Sequence, residues 1–319
     1  MENISVYLNH YASNSSHDWQ AQLSRALFRS QITYHAPKSL AELNELLEND
    51  IKSEVDAVIS IGGDGTVNTL IQKLQGTGIG LLVIPGGTAN DLASELGNPK
   101  NIKRITHFIR NYETKEIDLI CINDQYMATN GGLGVGGKVA NKINKLRAKL
   151  PILKKIMKLT GKKIYAVFFA REFLSPRFKL YHLELESKEF KGKIKTAALL
   201  INNQPSLAGI FKIAPDTKNT DGKFNVSFLT HASRSDFIRC AWRVMKGDYP
   251  LDDPNFFTFE TKELKIKNLS KGKIHFFGDG EIFNEAHEWH IKIKSDALRV
   301  FARDASKDMS DLCNEVTLS

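Results

Sequence analysis

Cysteine is scarce in this sequence, and the three present, Cys121, Cys240 and Cys313, are odd in number and far apart. That spacing offers neither a disulfide framework nor a metal cluster, so a reducing compartment is the default expectation. Long apolar runs are missing as well. No stretch approaches the ~20 residues of a membrane-spanning helix, and Met1-Glu2-Asn3-Ile4 lacks the basic region and apolar core of a secretory leader. Charge of one sign is in small excess: Lys and Arg outnumber Asp and Glu by 44 to 36, giving +8. Such an excess suits an anionic nucleotide or a membrane surface and is too diffuse to demand nucleic acid. No zinc-finger, RNP-like or arginine-rich signature is present, so no nucleic-acid partner is expected. What remains is 42% hydrophobic and 25% charged over 319 residues, enough for two domains and a substantial core.

The chain is organised around Ile59-Ser60-Ile61-Gly62-Gly63-Asp64-Gly65-Thr66-Val67-Asn68. An apolar, β-branched run from Val55 to Ile61 predicts a strand, and Val67, Leu70, Ile71 and Leu74 predict a helix after it. Strand, glycine turn and helix together place main-chain N–H groups and a helix N-terminus against an anion. Asp64 is the odd member, because a bare carboxylate beside polyphosphate is repulsive unless a cation or a substrate proton lies between them. The bland alternative is a strand-to-helix turn with Asp64 or Thr66 as N-cap. A second unit follows: the strand-like Ile79 to Ile84, then Pro85-Gly86-Gly87-Thr88-Ala89-Asn90-Asp91-Leu92-Ala93. Two such units in succession can bring both turns to one edge of a parallel sheet, where ligands bind.

GGDGTVN and PGGTANDLA resemble the nucleotide motifs of the diacylglycerol kinase catalytic domain, in its bacterial soluble lipid kinase branch, related to the sphingosine kinases. The resemblance extends to Asn9, to Asn130–Val139, to Pro215–Val226 with its Asp221-Gly222, and to Phe277-Gly278-Asp279-Gly280-Glu281. NAD kinases and phosphofructokinases use similar GGDGT turns, but Thr88-Ala89-Asn90-Asp91 and Asp279-Gly280-Glu281 favour the lipid kinases. The resemblance implies an N-terminal doubly wound α/β nucleotide-binding domain over residues 1–121, with 300–319 returning to it. A C-terminal β-sandwich lipid-substrate domain would occupy 122–299. It implies ATP- and Mg²⁺-dependent phosphorylation of a lipid hydroxyl, on diacylglycerol or a similar lipid, by a cytoplasmic protein working at the membrane surface. Asn9, Gly62, Gly63, Asp64, Gly65, Thr66, Val67, Asn68, Gly87, Thr88, Asn90 and Asp91 would then hold the nucleotide. Magnesium would be organised through Asp64, with Asp91 as a second candidate. Glu281 would be the general base, its pKa raised if partly buried. A structural magnesium would rest on Asp221 and the main-chain carbonyls of Lys218 and Lys223. The rival readings are an NAD kinase and a non-catalytic nucleotide- or lipid-sensing protein.

This chain departs from the family at two places. His10 stands where a Pro usually follows the first-strand Asn, and His35 or Ala36 where a nucleotide-contacting Thr often ends the second strand. Elsewhere the pattern predicts helices from Trp19 to Arg29, Leu40 to Glu48, Ile102 to Asn111 and Ser235 to Lys246. It also predicts a hairpin about Asn123-Asp124 and strands from Phe178 onward. Gly132, Gly134 and Gly137 match G-x-G-x-x-G, but no acid follows about 20 residues later, and Val139 stands where a Walker loop needs Ser or Thr. A glycine turn leading into a helix is the expectation there. Lys138 to Arg171 contains no acidic residue, and Lys142–Lys163 interleaves lysines with apolar residues. That segment reads either as a peripheral membrane contact on anionic lipid or as a packed helix with a solvated basic face. His287 and His290 read as solvent-facing strand histidines.

Overall fold

The computed structural model describes residues 2–9, 19–86, 90–99, 108, 112–135, 171–172, 175, 178–207, 211–230 and 232–303. The chain divides into two compact units, residues 1–117 with 297–319, and residues 118–296. The segment 142–163, the helix expected over 102–111 and the residues Gly87 and Thr88 fall wholly or almost wholly outside the described residues.

In the first unit, β1 (Asn3–Leu8), β2 (Gln31–His35), β3 (Ala57–Gly62) and β4 (Gly80–Pro85) pair in parallel in the order β2-β1-β3-β4. Every residue of β3 and β4 is buried, as expected of parallel strands covered on both faces. This is why both read in sequence as unbroken apolar runs. The connecting helices are α1 (Trp19–Ala26), α2 (Leu40–Lys52), α3 (Asp64–Leu74) and α4 (Asp91–Glu95). The Ser39 hydroxyl caps α2 by accepting from the Glu42 N–H. α3 buries Val67, Leu70, Ile71 and Leu74, the stripe its spacing predicts. The core joins Ile4, Val6, Leu23, Ile59, Ile61 and Leu82 to Phe301 from the far end of the chain. Val300 pairs in parallel with Leu81 beside β4. A Cβ on Gly80 would lie 2.7 Å from the Phe301 ring, so the glycine makes room for that return.

In the second unit, β5 (Tyr112–Ile122), whose first residues belong to the first unit, turns at Asn123-Asp124 into β6 (Gln125–Met127), the expected hairpin. β7 (Asn130–Gly134), β8 (Tyr181–Glu186), β9 (Lys191–Thr196), β10 (Ala198–Asn202), β11 (Ser206–Leu207), β12 (Phe211–Lys212) and β13 (Phe224–Leu229) follow. Helix α5 (Arg234–Met245) precedes β14 (Phe256–Thr261), β15 (Glu263–Asn268), β16 (Ile274–Gly278), β17 (Glu281–Ala286) and β18 (Glu288–Arg303). One layer is antiparallel in the order β18-β15-β8-β9, and the other runs β14-β13-β10-β7-β16-β17. Alternate residues such as Leu183, Leu185, Leu199, Ile201, Val226, Ile266, Phe276 and Ile291 meet between them. Such period-2 burial is the signature of a sandwich.

The structure corrects the expectation for Gly131–Gly134. These residues form the buried central strand β7, between β10 and β16, and not a turn. A Cβ on Gly132 would lie 2.0 Å from the Leu199 carbonyl oxygen, and its φ is +145°. Glycine is needed there for close strand approach, which leaves Leu133 as the one large apolar residue by which the strand could be recognised.

Candidate active site

The carboxyl ends of β1, β3 and β4 lie at one edge of the parallel sheet, and the two glycine turns leave it side by side. The Gly86 N–H donates to the Gly62 carbonyl at 2.8 Å, and the Asn9 N–H donates to the Ile61 carbonyl at 3.0 Å. The Asn9 side-chain amide donates to Thr66 Oγ1 at 2.9 Å, tying the end of β1 to the first turn of α3. Thr66 needs Gly62 beneath it, since a Cβ on Gly62 would meet Thr66 Oγ1 at 2.9 Å and Thr66 Cβ at 3.0 Å.

Asp64 is not an N-cap. Gly63 occupies that position, in extended backbone and with no side-chain cap, so neither Asp64 nor Thr66 caps the helix. The Asp64 carboxylate instead spans to the second turn, where Oδ2 accepts from the Asn90 N–H and Oδ1 from the Asp91 N–H, both at 3.1 Å. These are the entry groups of α4, whose N-cap Asn90 has left-handed backbone (φ 55°, ψ 50°) and no side-chain cap of its own. An asparagine tolerates that conformation better than most residues. Asp64 therefore supplies, from 26 residues away, the acceptor that α4 lacks locally. Asp64, Gly65, Thr66, Asn68 and Asp91 are half-buried, and Val67 and Asn90 are buried. The structure brings together Asn9, Gly62–Asn68, Asn90 and Asp91; Gly87 and Thr88 lie outside the described residues.

His35 is committed elsewhere. Its Nε2 lies 3.3 Å from Asp50 Oδ2, and its ring centroid is 4.9 Å from that of Tyr7. The Tyr7 hydroxyl donates to the same Asp50 oxygen at 2.6 Å. Burial, reinforced by Asp50, pushes the Tyr7 phenol far above its ordinary value.

In the second unit, Asp279 (φ 51°) and Gly280 (φ 76°) form the two-residue turn between β16 and β17, both in the left-handed backbone such a hairpin requires. Asp-Gly at a hairpin tip ordinarily faces water. Here the Asp279 carboxylate is buried and accepts three hydrogen bonds, from the Ala128 N–H (3.0 Å), the Thr129 N–H (2.8 Å) and the Thr129 hydroxyl (2.6 Å). It clamps the turn onto the bend before β7 and so sets where Glu281 begins. Glu281 itself is exposed. This corrects the expectation of a partly buried base: the turn that carries it does not supply the desolvation that expectation relied on.

The Asp221 turn is held in the same manner. Buried Asp118 accepts from the Gly222 N–H at 2.7 Å and the Asp296 N–H at 3.0 Å, while its own N–H donates to the Asn219 carbonyl. Asp221 is exposed, and its Oδ1 accepts from the Lys223 N–H at 3.1 Å. The Lys223 ammonium pairs with Glu260 at 3.6 Å, which offsets a positive charge beside the turn. One exposed carboxylate with main-chain carbonyls is an all-oxygen donor set, the kind a hard cation takes. Among the described residues no group of three or more His, Cys, Asp or Glu gathers to hold a metal. Asp118 and Asp279 are the residues sequence reasoning passed over as hubs. The main-chain donors their carboxylates accept from lie 104 to 178 residues away, beyond any local pattern.

Comparison with known proteins gives a consistent result. Residues 5–122 match the diacylglycerol kinase catalytic domain, and residues 133–302 match the YegS C-terminal NAD kinase beta sandwich-like domain. A diacylglycerol kinase of Bacillus subtilis (strain 168) is 27% identical over 266 residues, covering 81% of this chain and 84% of that one. A diacylglycerol kinase of Mycobacterium tuberculosis is 28% identical over 247 residues, covering 75% of each. A solved structure of a diacylglycerol kinase from Bacillus anthracis str. Sterne has a TM-score of 0.67 at 18% identity, covering 95% of this chain and 98% of that one, which bears on the fold alone. With matches running from residue 5 to residue 302 and only a short gap between them, the chain belongs to the family that joins a diacylglycerol kinase catalytic domain to a YegS C-terminal NAD kinase beta sandwich-like domain.

Proposed function

We propose that this family member transfers the terminal phosphoryl group of ATP, with Mg²⁺, to a hydroxyl of diacylglycerol or a similar lipid. The observation that carries the reading is the lacing of the two glycine turns, through Gly86 N–H to Gly62 and through Asp64 to Asn90 and Asp91. Turns fixed to one another hold the N-terminus of α3 at the sheet edge, the kind of helix end that takes an anion without a P-loop lysine. The Asp64 oxygens accept from the Asn90 and Asp91 N–H groups, and an ionised carboxylate oxygen can take more than one partner. Asp64 therefore fits a role in holding Mg²⁺, with Asp91 beside it; the ion, when bound, offsets charge on the transferring phosphoryl group.

The chemistry left to the chain is modest. The lipid hydroxyl oxygen bonds to the terminal phosphorus, the bond to the bridging oxygen breaks, and ADP leaves. Glu281 takes the hydroxyl proton. Its exposed position at the start of β17 makes positioning by Asp279, rather than desolvation by its own turn, the means of tuning it. On this reading the protein is cytoplasmic and meets its substrate at the inner membrane face. No helix among the described residues is long and apolar enough to cross a membrane.

The deciding experiment supplies γ-labelled ATP and Mg²⁺ with a panel of micellar lipids and, in the same buffer, NAD. Label in diacylglycerol or another lipid is the expected result. Label in NAD, or steady ATP binding with no acceptor labelled, would overturn it.

A further inference from the structure

Two threonines of helix α3 spend their hydroxyls differently. Thr69 donates to the Gly65 carbonyl, four residues back, at 3.0 Å, the usual bond of a threonine inside a helix. Thr66, one turn earlier, has Gly62 four residues back and makes no such bond. The Gly62 carbonyl accepts instead from the Gly86 N–H at 2.8 Å. Thr66 Oγ1 is itself an acceptor, taking the Asn9 side-chain amide at 2.9 Å. The Asn9 backbone is fixed in turn, its N–H donating to the Ile61 carbonyl at 3.0 Å.

A hydroxyl has one proton and two lone pairs. The Asn9 amide enters one lone pair, so the Thr66 proton is turned away from Asn9, because a donor does not point at a donor. Among the described residues that proton meets no acceptor. Gly62 leaves room on the strand side, where a Cβ would lie 2.9 Å from Thr66 Oγ1. The hydroxyl therefore sits half-buried in the first turn of α3, at the carboxyl edge of β1 and β3, with its proton uncommitted. What it lacks is an acceptor, and an anion is the acceptor that a helix end at such an edge takes.

We propose that Asn9 acts through Thr66: by donating into the hydroxyl it holds the hydroxyl proton outward, as a donor to a phosphoryl oxygen of the bound nucleotide. Asn9 is then a positioning residue and Thr66 the contact. The inference deepens the nucleotide-binding part of the proposed function and rests on it. It also makes the chemistry at position 9 directional. An amide N–H serves, while a carboxylate of the same shape would accept from the hydroxyl and draw its proton away from the phosphate. The competing arrangement has the Asn9 amide turned over, with its oxygen already accepting from Thr66.

Calorimetric titration of the full chain with ATP and Mg²⁺ reads this without turnover. Thr66→Val keeps the shape and loses the hydroxyl, and should weaken ATP binding roughly 10-fold. Asn9→Asp should weaken it further, because the reversed hydrogen bond removes the same donor and the new carboxylate repels phosphate. A double-mutant cycle separates the two costs. In the Thr66→Val background only the repulsion is left, so Asn9→Asp should cost roughly 10-fold less there than in the parent. Thr66→Ala, which also lacks the hydroxyl, closes the same cycle with less bulk. Thr66→Ser keeps the hydroxyl, should bind ATP within about 3-fold of the parent, and should restore the full cost of Asn9→Asp. Because the carboxylate still bonds the hydroxyl, ligand-free Asn9→Asp should unfold within about 2 °C of the parent, whereas a merely mechanical role for Asn9 would lower midpoint and affinity together. An Asn9→Asp cost that is the same with and without the hydroxyl would overturn the inference and leave ATP binding standing. So would a Thr66→Val protein that binds ATP as the parent does. A parent that gives no heat with ATP would overturn the nucleotide reading and this inference with it.

Discussion

Replacing Asp279 by Asn tests the idea that a buried carboxylate, rather than Glu281's own surroundings, places the proposed base. The two side chains have the same shape, so the change is confined to hydrogen bonding. Oδ1 accepts from both the N–H and the hydroxyl of Thr129, and Oδ2 accepts from the Ala128 N–H. An asparagine oxygen set at the first position keeps two of these bonds, now without charge assistance, and turns its NH₂ toward the Ala128 N–H. One buried donor is orphaned at about 1–3 kcal/mol, and the weakened pair loses roughly a further 1 kcal/mol. A total of about 2–4 kcal/mol corresponds to a fall of roughly 5–15 °C in the unfolding midpoint of a unit this size. Because Asn9, Gly62–Asn68, Asn90 and Asp91 lie in the other unit, KM for ATP should stay close to the parent's while kcat drops. Thermal unfolding by circular dichroism and steady-state kinetics read the two effects. A midpoint within about 1 °C of the parent, with kcat intact, would refute the clamp.

The other expectations are more local. Asp64→Asn and Glu281→Gln should each abolish label transfer while leaving circular dichroism unchanged; near-normal turnover in either removes that residue from the mechanism. Gly132→Ala forces a Cβ to 2.0 Å from the Leu199 carbonyl oxygen and should destabilise the second unit by more than about 3 kcal/mol, measured by denaturant unfolding; a tolerated alanine would mean β7 is not pinned between β10 and β16. The α5 carboxylates supply a pH test. Asp236, Asp248, Asp252 and Asp253 are held below the ordinary carboxylate value, by the Ser233 cap for Asp236, by Arg243 for Asp248 and Asp252, and by the Asn255 N–H with Arg239 for Asp253. Groups depressed in the folded state contribute fully above their unfolded values and lose that contribution as pH falls through the folded ones. The ion pairs that tie the following loop to α5 through Arg239 and Arg243 should therefore hold from neutral pH down to about 4 and weaken below it, followed by Trp242 emission; a loss already complete at about pH 6 would contradict the assignment.

The parts legible in the sequence were those whose cause is local. β3 and β4 announced themselves because both faces are covered, and α3 because its buried residues recur at helical spacing. The glycine turns were visible as motifs, and the parallel register of β3 with β4 brings them to one edge. The lacing of the two turns by Asp64 was hidden, since these partners are main-chain N–H groups 26 and 27 residues later. Those carry no side-chain identity to read. β7 was misread for the opposite reason: a strand pressed between two neighbours carries three glycines in five residues, too few side chains to show a pattern. Asp118 and Asp279 looked like an ordinary strand residue and an ordinary turn residue. Only the fold shows that each is a buried acceptor for remote backbone.

Strand β18, Glu288–Arg303, has a consequence for how this protein is made. Its early residues pair with β15 in the second unit, while Val300 and Phe301 complete the first beside Leu81 and Gly80. On the ribosome the parallel sheet is thus left open along β4 until residue 300 has emerged. The sandwich, whose segments are contiguous from residue 118 to residue 296, can close first. The half synthesised earliest is the half completed last, and a fragment ending near residue 122 would carry both glycine turns yet lack the strand that seals their sheet.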